Sequence, residues 1–326
     1  MKSKARGPII ATVAVVGTGV IGRSWVRVFA QAGCNTRIYD ADPQQAQKAL
    51  RWLEQDLRLD CKEGLIGAKA AAAVRARVTA HTNLGEALSG AGYVQESGPE
   101  QLAAKKAVFA ALDRIAAPRA ILASSTSGID MNEIAGNLPG AHRCIVAHPV
   151  NPPHVIPVVE VLAGQNIDPS VVSRTRAFLS SVGQRPVVMK SYIAGFLLNR
   201  MQAALVREAI QLVERGVADV DAVDTTIRDG LGLRWALMGP FGVADTNADG
   251  GVQEYYTRFR DSYIEFMNDL ASTPSFDDGM IERLALGTNA MVGKTQRGKI
   301  RRWRDRMIRR IRALKDTDPQ PWDSEN

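Results

Sequence analysis

A glycine-rich segment, Gly17-Thr18-Gly19-Val20-Ile21-Gly22, restricts the fold of this 326-residue chain more than any other feature of its sequence. The segment follows an apolar run with strand character at residues 12–16 and precedes a helical pattern at residues 23–32. In that setting a G-x-G-x-x-G pattern permits a tight turn, and it lets backbone N–H groups approach a pyrophosphate at the positive end of the helix. Gly17, Gly19 and Gly22 are therefore predicted to form the turn of a dinucleotide-binding βαβ unit.

A carboxylate follows the second predicted strand. Asp40 stands directly after residues 36–39, where an acidic side chain accepts hydrogen bonds from the adenosine ribose hydroxyls. The same charge repels a 2′-phosphate, and Ala41 and Asp42 occupy the next positions, where an arginine would be needed to neutralise that group. The sequence therefore predicts NAD rather than NADP as the cofactor.

Alternation between strand and helix patterns extends this unit into a domain. It continues from Ile9 to about Met189, which is typical of βαβ units in a mostly parallel sheet, and only helical patterns follow. The predicted fold class is α/β, with an N-terminal Rossmann-type dinucleotide-binding domain at residues 1–189 and an all-α C-terminal domain at residues 190–326. The predicted strands are residues 12–16, 36–39, 93–96, 120–123, 144–147 and 158–162. The predicted helices are residues 23–32, 43–60, 101–115, 169–182, 196–215, 219–229, 252–270, 275–291 and 299–315.

Composition and cysteine spacing narrow the setting in which the chain works. With 45% hydrophobic and 23% charged residues, it has the composition of a soluble globular protein. Neither a signal-peptide core nor a membrane span follows the basic N-terminal residues. Cys34, Cys61 and Cys144 are widely spaced and fit neither a metal-binding pattern nor a disulfide framework. We therefore expect a cytoplasmic protein with reduced thiols, no metal site and no membrane partner.

Much of the net charge of +7 lies in one arginine-rich stretch at residues 294–315. Such a stretch is compatible with nucleic-acid binding, which would depend steeply on salt. Apolar residues recur in it at three- and four-residue spacing, however, as in a packed terminal helix with arginines on its solvated faces. We favour the second interpretation and expect a homodimer and no nucleic-acid partner. The apolar stripe consists of Ile300, Trp303, Met307, Ile311 and Leu314.

A second motif, His148-Pro149-Val150-Asn151-Pro152-Pro153, stands at the end of a predicted strand, and the next predicted strand carries Glu160. Open α/β folds bind their ligands at this carboxyl edge of the sheet. Oxidation of an alcohol needs a base to take the hydroxyl proton, and the unperturbed imidazole pKa of about 6.5 suits that role near neutrality. The pattern therefore favours His148 as a general base oriented by Glu160 over a merely structural pair.

Six stretches of the sequence together resemble the 3-hydroxyacyl-CoA dehydrogenase superfamily, most closely its branch that contains L-gulonate 3-dehydrogenase and lambda-crystallin. They run through both predicted domains, and their combination is far more specific than any single motif. The stretches are residues 15–25 (VVGTGVIGRSW), 95–106 (QESGPEQLAAKK), 124–127 (SSTS), 145–157 (IVAHPVNPPHVIP), 194–200 (AGFLLNR) and 230–241 (GLGLRWALMGPF). The resemblance implies an NAD-dependent oxidoreductase that acts on a hydroxyl group β to a carboxyl or acyl function.

The resemblance also implies roles for individual residues. His148 is expected to be the catalytic base, Glu160 to orient it, and Ser127 and Asn199 to lie near the substrate oxygen. From the residues alone, Ser127 is a turn serine and Asn199 a residue at the start of a helix. The NAD contacts that the resemblance implies are Val20, Ile21, Asp40, Glu100, Lys105 and Asn151.

The residues before the M-G-P-F segment at 238–241 indicate the substrate class. The chain has Leu233-Arg234-Trp235-Ala236-Leu237 there, which resembles the family members that act on free hydroxy acids, including gulonate and carnitine dehydrogenases. A free carboxylate needs a cationic partner, and Arg234 is the candidate; an ion pair at a surface or interface is its alternative role. Residues 242–247 depart from the gulonate branch, so the identity of the hydroxy acid stays open.

The predicted function is an NAD-dependent dehydrogenase of a free β-hydroxy acid, and a 3-hydroxyacyl-CoA dehydrogenase is the alternative with the same chemistry. A third interpretation is a structural or NAD-binding protein without turnover. The presence of Ser127, His148, Glu160 and Asn199 argues against it. The C-terminal domain is expected to bind the substrate and to mediate dimerisation.

Overall fold

The computed structural model describes residues 7–270, 273–274, 276–292 and 296–318. The chain divides into two units, the first ending at Leu197 and the second beginning at Leu198. The strands of the first unit are β1 Thr12–Val16, β2 Asn35–Tyr39, β3 Val78–His81, β4 Tyr93–Glu96, β5 Ile121–Ser124, β6 Cys144–Pro149, β7 Val158–Ala163 and β8 Arg185–Val188.

These strands form one eight-stranded sheet in the order β3-β2-β1-β4-β5-β6-β7-β8. Strands β1 to β6 pair in parallel, β7 runs antiparallel to β6, and β8 is parallel to β7. The chain builds outward from β1 in one direction and then from β4 in the other, so a crevice opens between their carboxyl ends. The predicted α/β class, with a Rossmann-type first part, is confirmed.

Helices cover both faces of this sheet. Successive side chains of a strand point to opposite faces, so Val13 and Val15 of β1 join one buried cluster, whereas Ala14 and Val16 join the other. Both β1 and β4 are buried, and the apolar residues of β1 and of the first half of β4 made these two strands predictable from sequence. The helices are α1 Val20–Ala32, α2 Pro43–Lys62, α3 Ala68–Ala76, α4 Leu84–Leu88, α5 Leu102–Ile115, α6 Met131–Ala135 and α7 Pro169–Ser181, with a 3-10 turn at Ala141–Arg143.

Helices α2 and α7 begin in the same way. Asp42 and Asp168 are their N-caps, and each carboxylate accepts a hydrogen bond from the backbone N–H two residues later. Pro43 and Pro169 occupy the first helical positions, where the missing N–H costs nothing. The hydrogen bond from Ser170 holds the pKa of the Asp168 carboxyl below its ordinary value.

The edge strands β3 and β8 differ from the prediction, which contained neither. β3 reads VTAH, and β8 reads RPVV with three of its four residues exposed. An edge strand faces solvent along one side, and Pro186 has no N–H to give to a neighbour. Their apolar pattern is therefore weak. The short helices α3, α4 and α6 were likewise outside the prediction.

Every regular element that the structure describes in the second unit is helical, and the first of them begins two residues before the boundary. These are α8 Phe196–Glu214, α9 Val220–Thr225, a π-helical turn Thr226–Leu231, α10 Gly232–Trp235, α11 Pro240–Asp245, α12 Gly251–Arg258, α13 Arg260–Asp269, α14 Asp278–Val292 and α15 Arg297–Thr317. The helix predicted at 252–270 is interrupted at Phe259, and the one predicted at 219–229 passes into the π turn. A Cβ on Gly232 would lie 2.7 Å from the Ile227 carbonyl oxygen, so glycine suits this crowded turn. Ser275, where another helix was predicted to begin, lies outside the described residues. Within the described part of the chain, no helix is both long and apolar enough to cross a membrane.

The arginine-rich helix α15 forms as predicted, but its apolar stripe is not buried within the single chain. Trp303, Ile311 and Leu314 keep 53%, 43% and 64% of their surface exposed. Packing of the stripe at these positions therefore stays a prediction, because amphipathic spacing shows where apolar residues lie and not what covers them. Lys294, at the start of the basic stretch, lies outside the described residues.

Candidate active site

Backbone atoms pack so closely in the glycine turn after β1 that two of its three glycines have no room for a side chain. Gly17 has a φ of 86°, and a Cβ there would lie 2.7 Å from backbone atoms of Ser97 and Gly98. A Cβ on Gly22 would lie 1.9 Å from the Gly17 carbonyl oxygen, whereas a Cβ on Gly19 would meet no protein atom within 4 Å. The first and third glycines therefore close the turn, and the second faces open space from which a ligand can approach.

The N-terminus of α1 and the adjoining cleft fit a dinucleotide. Gly19 is the N-cap of α1 and makes no side-chain hydrogen bond to the first turn, which contains Val20 and Ile21. The N–H groups of such a turn, together with the helix dipole, favour an anion such as a pyrophosphate. A cleft of about 420 Å³ is lined by the glycine turn, the end of β2 and the loop after β4. Its size lies within the range of cofactor pockets, so these residues suit NAD.

Asp40 follows β2 and lines this cleft in a fixed orientation. Its Oδ2 accepts hydrogen bonds from the backbone N–H of Thr18 at 2.7 Å and from the Thr18 hydroxyl at 2.9 Å. Its Oδ1 accepts one from the N–H of Asp42 at 3.1 Å. The two carboxylates, Asp40 and Asp42, would both repel a 2′-phosphate, and a carboxylate oxygen has a further lone pair for a ribose hydroxyl.

Replacing Asp40 with alanine is expected to weaken NAD binding more than NADP binding. The change removes an acceptor for the ribose hydroxyls, and it also removes a repulsion against the 2′-phosphate. A hydrogen bond to a charged acceptor at a partly exposed site contributes about 1.5 kcal/mol, so KM for NAD should rise roughly tenfold. Asp40→Asn is the matched control, because it keeps the shape and an acceptor for Thr18. Initial rates with both cofactors decide the point, and equal losses for NAD and NADP would contradict this role of Asp40.

A buried ion pair lies behind the loop after β4. Lys105 of α5 and Glu96 at the end of β4 are each 1% exposed. The Lys105 Nζ lies 3.1 Å from both carboxylate oxygens of Glu96 and 3.4 Å from Glu100 Oε2. Glu96 also accepts hydrogen bonds of 2.6 Å from the Ser124 hydroxyl and from the Gly98 N–H. The ammonium of Lys105 thus lies between the carboxylates of Glu96 and Glu100, and its ion pair with Glu100 restricts the orientation of that side chain.

Glu100 connects this pair to Ser127. Its Oε1 accepts hydrogen bonds from the Thr126 hydroxyl at 2.6 Å and from the Ser127 N–H at 2.7 Å. Ser127 follows β5 and is exposed. Three predicted site residues, Glu100, Lys105 and Ser127, therefore form one connected group at the carboxyl edge of the sheet.

His148 and Glu160 are paired across the antiparallel strands β6 and β7, where they stand directly opposite each other. The His148 Nδ1–H donates to Glu160 Oε2 at 2.8 Å, and both residues are buried. The second carboxylate oxygen, Oε1, accepts the Leu197 N–H at 2.8 Å. The ring of Phe196 meets the imidazole edge-on, with 5.5 Å between centroids. These contacts fix the orientation of the imidazole and leave Nε2 as its basic nitrogen.

The remaining predicted residues lie in other elements. Asn151 is exposed, three residues after His148 in the segment between β6 and β7. Asn199 lies in the first turn of α8 and belongs to the second unit.

Arg234, in α10 of the second unit, is exposed. A hydrogen bond with Tyr255 and partial burial raise the pKa of Tyr263 to about 12, whereas the positive charge of Arg234 opposes this rise. Arg234 thus lies within electrostatic range of these tyrosines. Among the residues that the structure describes, no carboxylate forms an ion pair with Arg234. The guanidinium therefore retains its capacity to bind a carboxylate from outside the chain.

One polar cluster at the site was not predicted from sequence. It consists of Trp25, Tyr93, Gln95, Ser97 and Ser125, and it reaches from the core to the cleft. Two sequence signals pointed to it. Gln95 is a polar residue within an apolar strand, and Ser97 stands directly after that strand, at the edge where ligands bind.

Comparisons with known proteins agree with this geometry. The model of the 3-hydroxyacyl-CoA dehydrogenase NAD binding domain matches residues 12–192, and that of the 3-hydroxyacyl-CoA dehydrogenase C-terminal domain matches residues 195–294. Lambda-crystallin of Oryctolagus cuniculus is 35% identical over 311 residues, which are 94% of this chain and 97% of that protein. L-carnitine dehydrogenase of a Pseudomonas species is 32% identical over 303 residues, 91% of each chain. Among solved structures, 5-formyl-3-hydroxy-2-methylpyridine 4-carboxylic acid 5-dehydrogenase, an NAD+-dependent dismutase, matches with a TM-score of 0.77 and 28% identity, covering 96% of this chain and 100% of that one.

Proposed function

Because the chain belongs to the 3-hydroxyacyl-CoA dehydrogenase family and is an NAD-dependent oxidoreductase of CH–OH groups, we propose that it interconverts a free β-hydroxy acid and its 3-keto acid. The observation that carries this proposal is the buried pair of His148 and Glu160, joined at 2.8 Å at the carboxyl edge of the sheet. An imidazole held by a carboxylate, on the sheet whose carboxyl edge also carries the cofactor cleft, is an arrangement suited to removing a proton from an alcohol.

In this proposal His148 is the general base. Its Nδ1–H is committed to Glu160, so Nε2 takes the hydroxyl proton of the substrate. The positive charge that develops on the ring is stabilised by the Glu160 carboxylate, which the Leu197 N–H keeps in place. Bound NAD supplies the hydride acceptor. Ser127 and Asn199 are proposed to donate hydrogen bonds to the substrate oxygen, and Asn151, Val20 and Ile21 to contact the cofactor.

The preference for a free acid over a CoA thioester rests on Arg234. An exposed guanidinium without a carboxylate partner in the described chain is suited to a bidentate contact with a substrate carboxylate. The relatives support the same choice, because carnitine is itself a free β-hydroxy acid and L-carnitine dehydrogenase is 32% identical to this chain.

The proposal is tested by NADH formation from four substrates under identical conditions: 3-hydroxybutyrate, L-carnitine, L-gulonate and 3-hydroxybutyryl-CoA. We expect kcat/KM for at least one free acid to exceed that for the thioester by about tenfold or more, which corresponds to about 1.4 kcal/mol in the transition state. Turnover of the thioester with none of the acids would support the 3-hydroxyacyl-CoA dehydrogenase alternative instead.

We also propose a homodimer formed through the second unit. Large apolar side chains there stay exposed in the single chain, among them Phe241 at 73%, Phe266 at 59% and Trp303 at 53%. Apolar surface on this scale usually marks an interface. The other expected partner is the small-molecule hydroxy acid, with neither nucleic acid nor membrane, and a cytoplasmic location belongs to the same proposal.

A further inference from the structure

A set of hydrogen bonds converges on the hydroxyl of Ser125, next to the cofactor cleft. The Trp25 Nε1–H donates to Ser125 Oγ at 3.2 Å, and the Gln95 Nε2 group donates to it at 2.8 Å. The Ser97 hydroxyl lies 2.8 Å from the same oxygen. Trp25 belongs to α1, Gln95 to β4, and the two serines to the loops after β4 and β5. The cluster therefore joins three parts of the cofactor site.

The orientation of the Gln95 amide is set by its other two contacts. Its Nε2 lies 3.3 Å from the Ala147 carbonyl oxygen, which only accepts hydrogen bonds, so a nitrogen must stand on that side. Its Oε1 accepts the Tyr93 hydroxyl at 2.8 Å, and burial raises the pKa of Tyr93, which keeps the phenol a neutral donor. Gln95 is thus a donor to Ser125. It also holds Ala147, the residue before His148.

Counting protons then fixes the direction of the last contact. A serine hydroxyl has two acceptor lone pairs and one proton. The Trp25 and Gln95 N–H groups occupy both lone pairs of Ser125, so the contact with Ser97 must use the Ser125 proton. Ser97 Oγ is therefore the acceptor in that contact, and its own proton points elsewhere.

The open side of Ser97 is the cofactor cleft, which it lines. Its N–H donates to the Val16 carbonyl at 2.8 Å, and a Cβ on Gly22 would lie 3.4 Å from the Ser97 Cβ. Ser97 therefore stands at the crevice between β1 and β4, against the glycine turn. Asp40 lies across β1, at the end of β2, where the adenosine ribose is expected. Ser97 lies on the other side of β1, toward β4 and the strand that carries His148.

We propose that Ser97 is a cofactor-binding residue whose hydroxyl donates a hydrogen bond to an acceptor oxygen in the nicotinamide half of NAD. Ser125 sets the direction of this bond, because it donates its own proton to Ser97, so the Ser97 proton is not used between the two serines and is available to the ligand. Trp25 and Gln95 act through Ser125 and are positioning residues. The inference goes beyond the proposed function, since it holds for any hydroxy acid substrate.

The test is equilibrium binding of NADH, measured by fluorescence titration, to wild type, Ser97→Ala and Ser97→Thr. We expect Ser97→Ala to raise the Kd of NADH by about three- to tenfold, the effect of one neutral hydrogen bond, and Ser97→Thr to keep most of the affinity through its hydroxyl. The matched ligand is ADP, which carries the adenosine and both phosphates but no nicotinamide nucleoside, and its Kd should stay within about twofold. Unchanged NADH affinity in Ser97→Ala would overturn the proposal, and so would an equal loss for NADH and ADP.

The direction of the bond is tested by a double-mutant cycle with Ser125→Ala. If Ser125 acts only by orienting Ser97, Ser125→Ala weakens NADH binding in wild type and adds nothing in the Ser97→Ala background. Additive losses would overturn the directing role of Ser125. ADP affinity and the melting temperature of each variant report folding, and the comparison of Ser97→Ala with Ser97→Thr decides the donor role if Ser125→Ala does not fold.

Discussion

His148→Gln lowers kcat by about a hundredfold to ten-thousandfold, the range typical for loss of a general base, while the Kd of NADH stays within about twofold of wild type. Glutamine fills a similar volume and its amide N–H can still donate to Glu160, but it has no atom that accepts a proton near neutral pH. The cofactor cleft is formed by the glycine turn between β1 and α1, the end of β2 and the loop after β4, and none of these includes His148. Steady-state rates with the best substrate and NADH fluorescence titration give the two quantities.

Glu160→Gln is the control for this prediction. It keeps an acceptor for the Leu197 N–H and removes the charge that stabilises a protonated imidazole, so its loss of kcat should be smaller than that of His148→Gln. Near-normal turnover by His148→Gln would remove His148 from the mechanism.

Arg234→Met is expected to reduce kcat/KM for a free hydroxy acid by about 10- to 150-fold, which corresponds to about 1.5–3 kcal/mol for a charge-assisted pair of hydrogen bonds. Methionine keeps the length and flexibility of the side chain and removes the charge. The informative comparison is between a hydroxy acid and its methyl ester. Wild type should prefer the acid strongly, and Arg234→Met should lose most of that preference.

Arg234→Lys separates charge from geometry. Lysine restores the positive charge but not the planar fork, so it should recover only part of the preference for the acid. If Arg234→Met still prefers the acid to the ester, another residue binds the substrate carboxylate. The assignment of Arg234 then fails, whereas the dehydrogenase proposal stands on the His148 and Glu160 pair.

The limits of sequence analysis are clearest in particular elements. β1 and β4 were predicted with their observed bounds, because apolar residues run through most of β1 and through the first half of β4, which ends on the polar residues Gln95 and Glu96. The edge strands β3 and β8 were not predicted, since two of the four residues of β3 and three of the four residues of β8 are exposed, which leaves little apolar pattern. The exposure of the α15 stripe was also unpredictable, because it depends on whether anything packs against that helix.

The site shows the same division. The glycine turn depends on neighbouring residues, and the His148 and Glu160 pair on adjacent strands, so local motifs reveal both. The cluster around Ser125 depends on partners far apart in the chain, such as Trp25, which is 100 positions away from Ser125. Its hydrogen bonds follow from the strand order, which places β4 and β5 together, so Gln95 and Ser97 mark the region in the sequence but do not reveal the partners that they contact.

Because Lys105 and Glu96 form a buried ion pair, substitutions at these two positions are expected to be coupled in evolution. Losing Lys105 leaves the buried Glu96 carboxylate without its cation, and losing Glu96 leaves only the partly exposed Glu100 beside the buried ammonium, so either change costs up to about 3–5 kcal/mol, a large part of the roughly 5–15 kcal/mol by which folded domains are stable. Exchanging both for apolar residues of similar volume is often close to neutral. A chain with only one of the two substitutions is therefore less stable than a chain with the intact ion pair or a chain with two apolar residues. Lineages that descend from this chain are expected to keep both codons or to replace both, and seldom to carry one change alone.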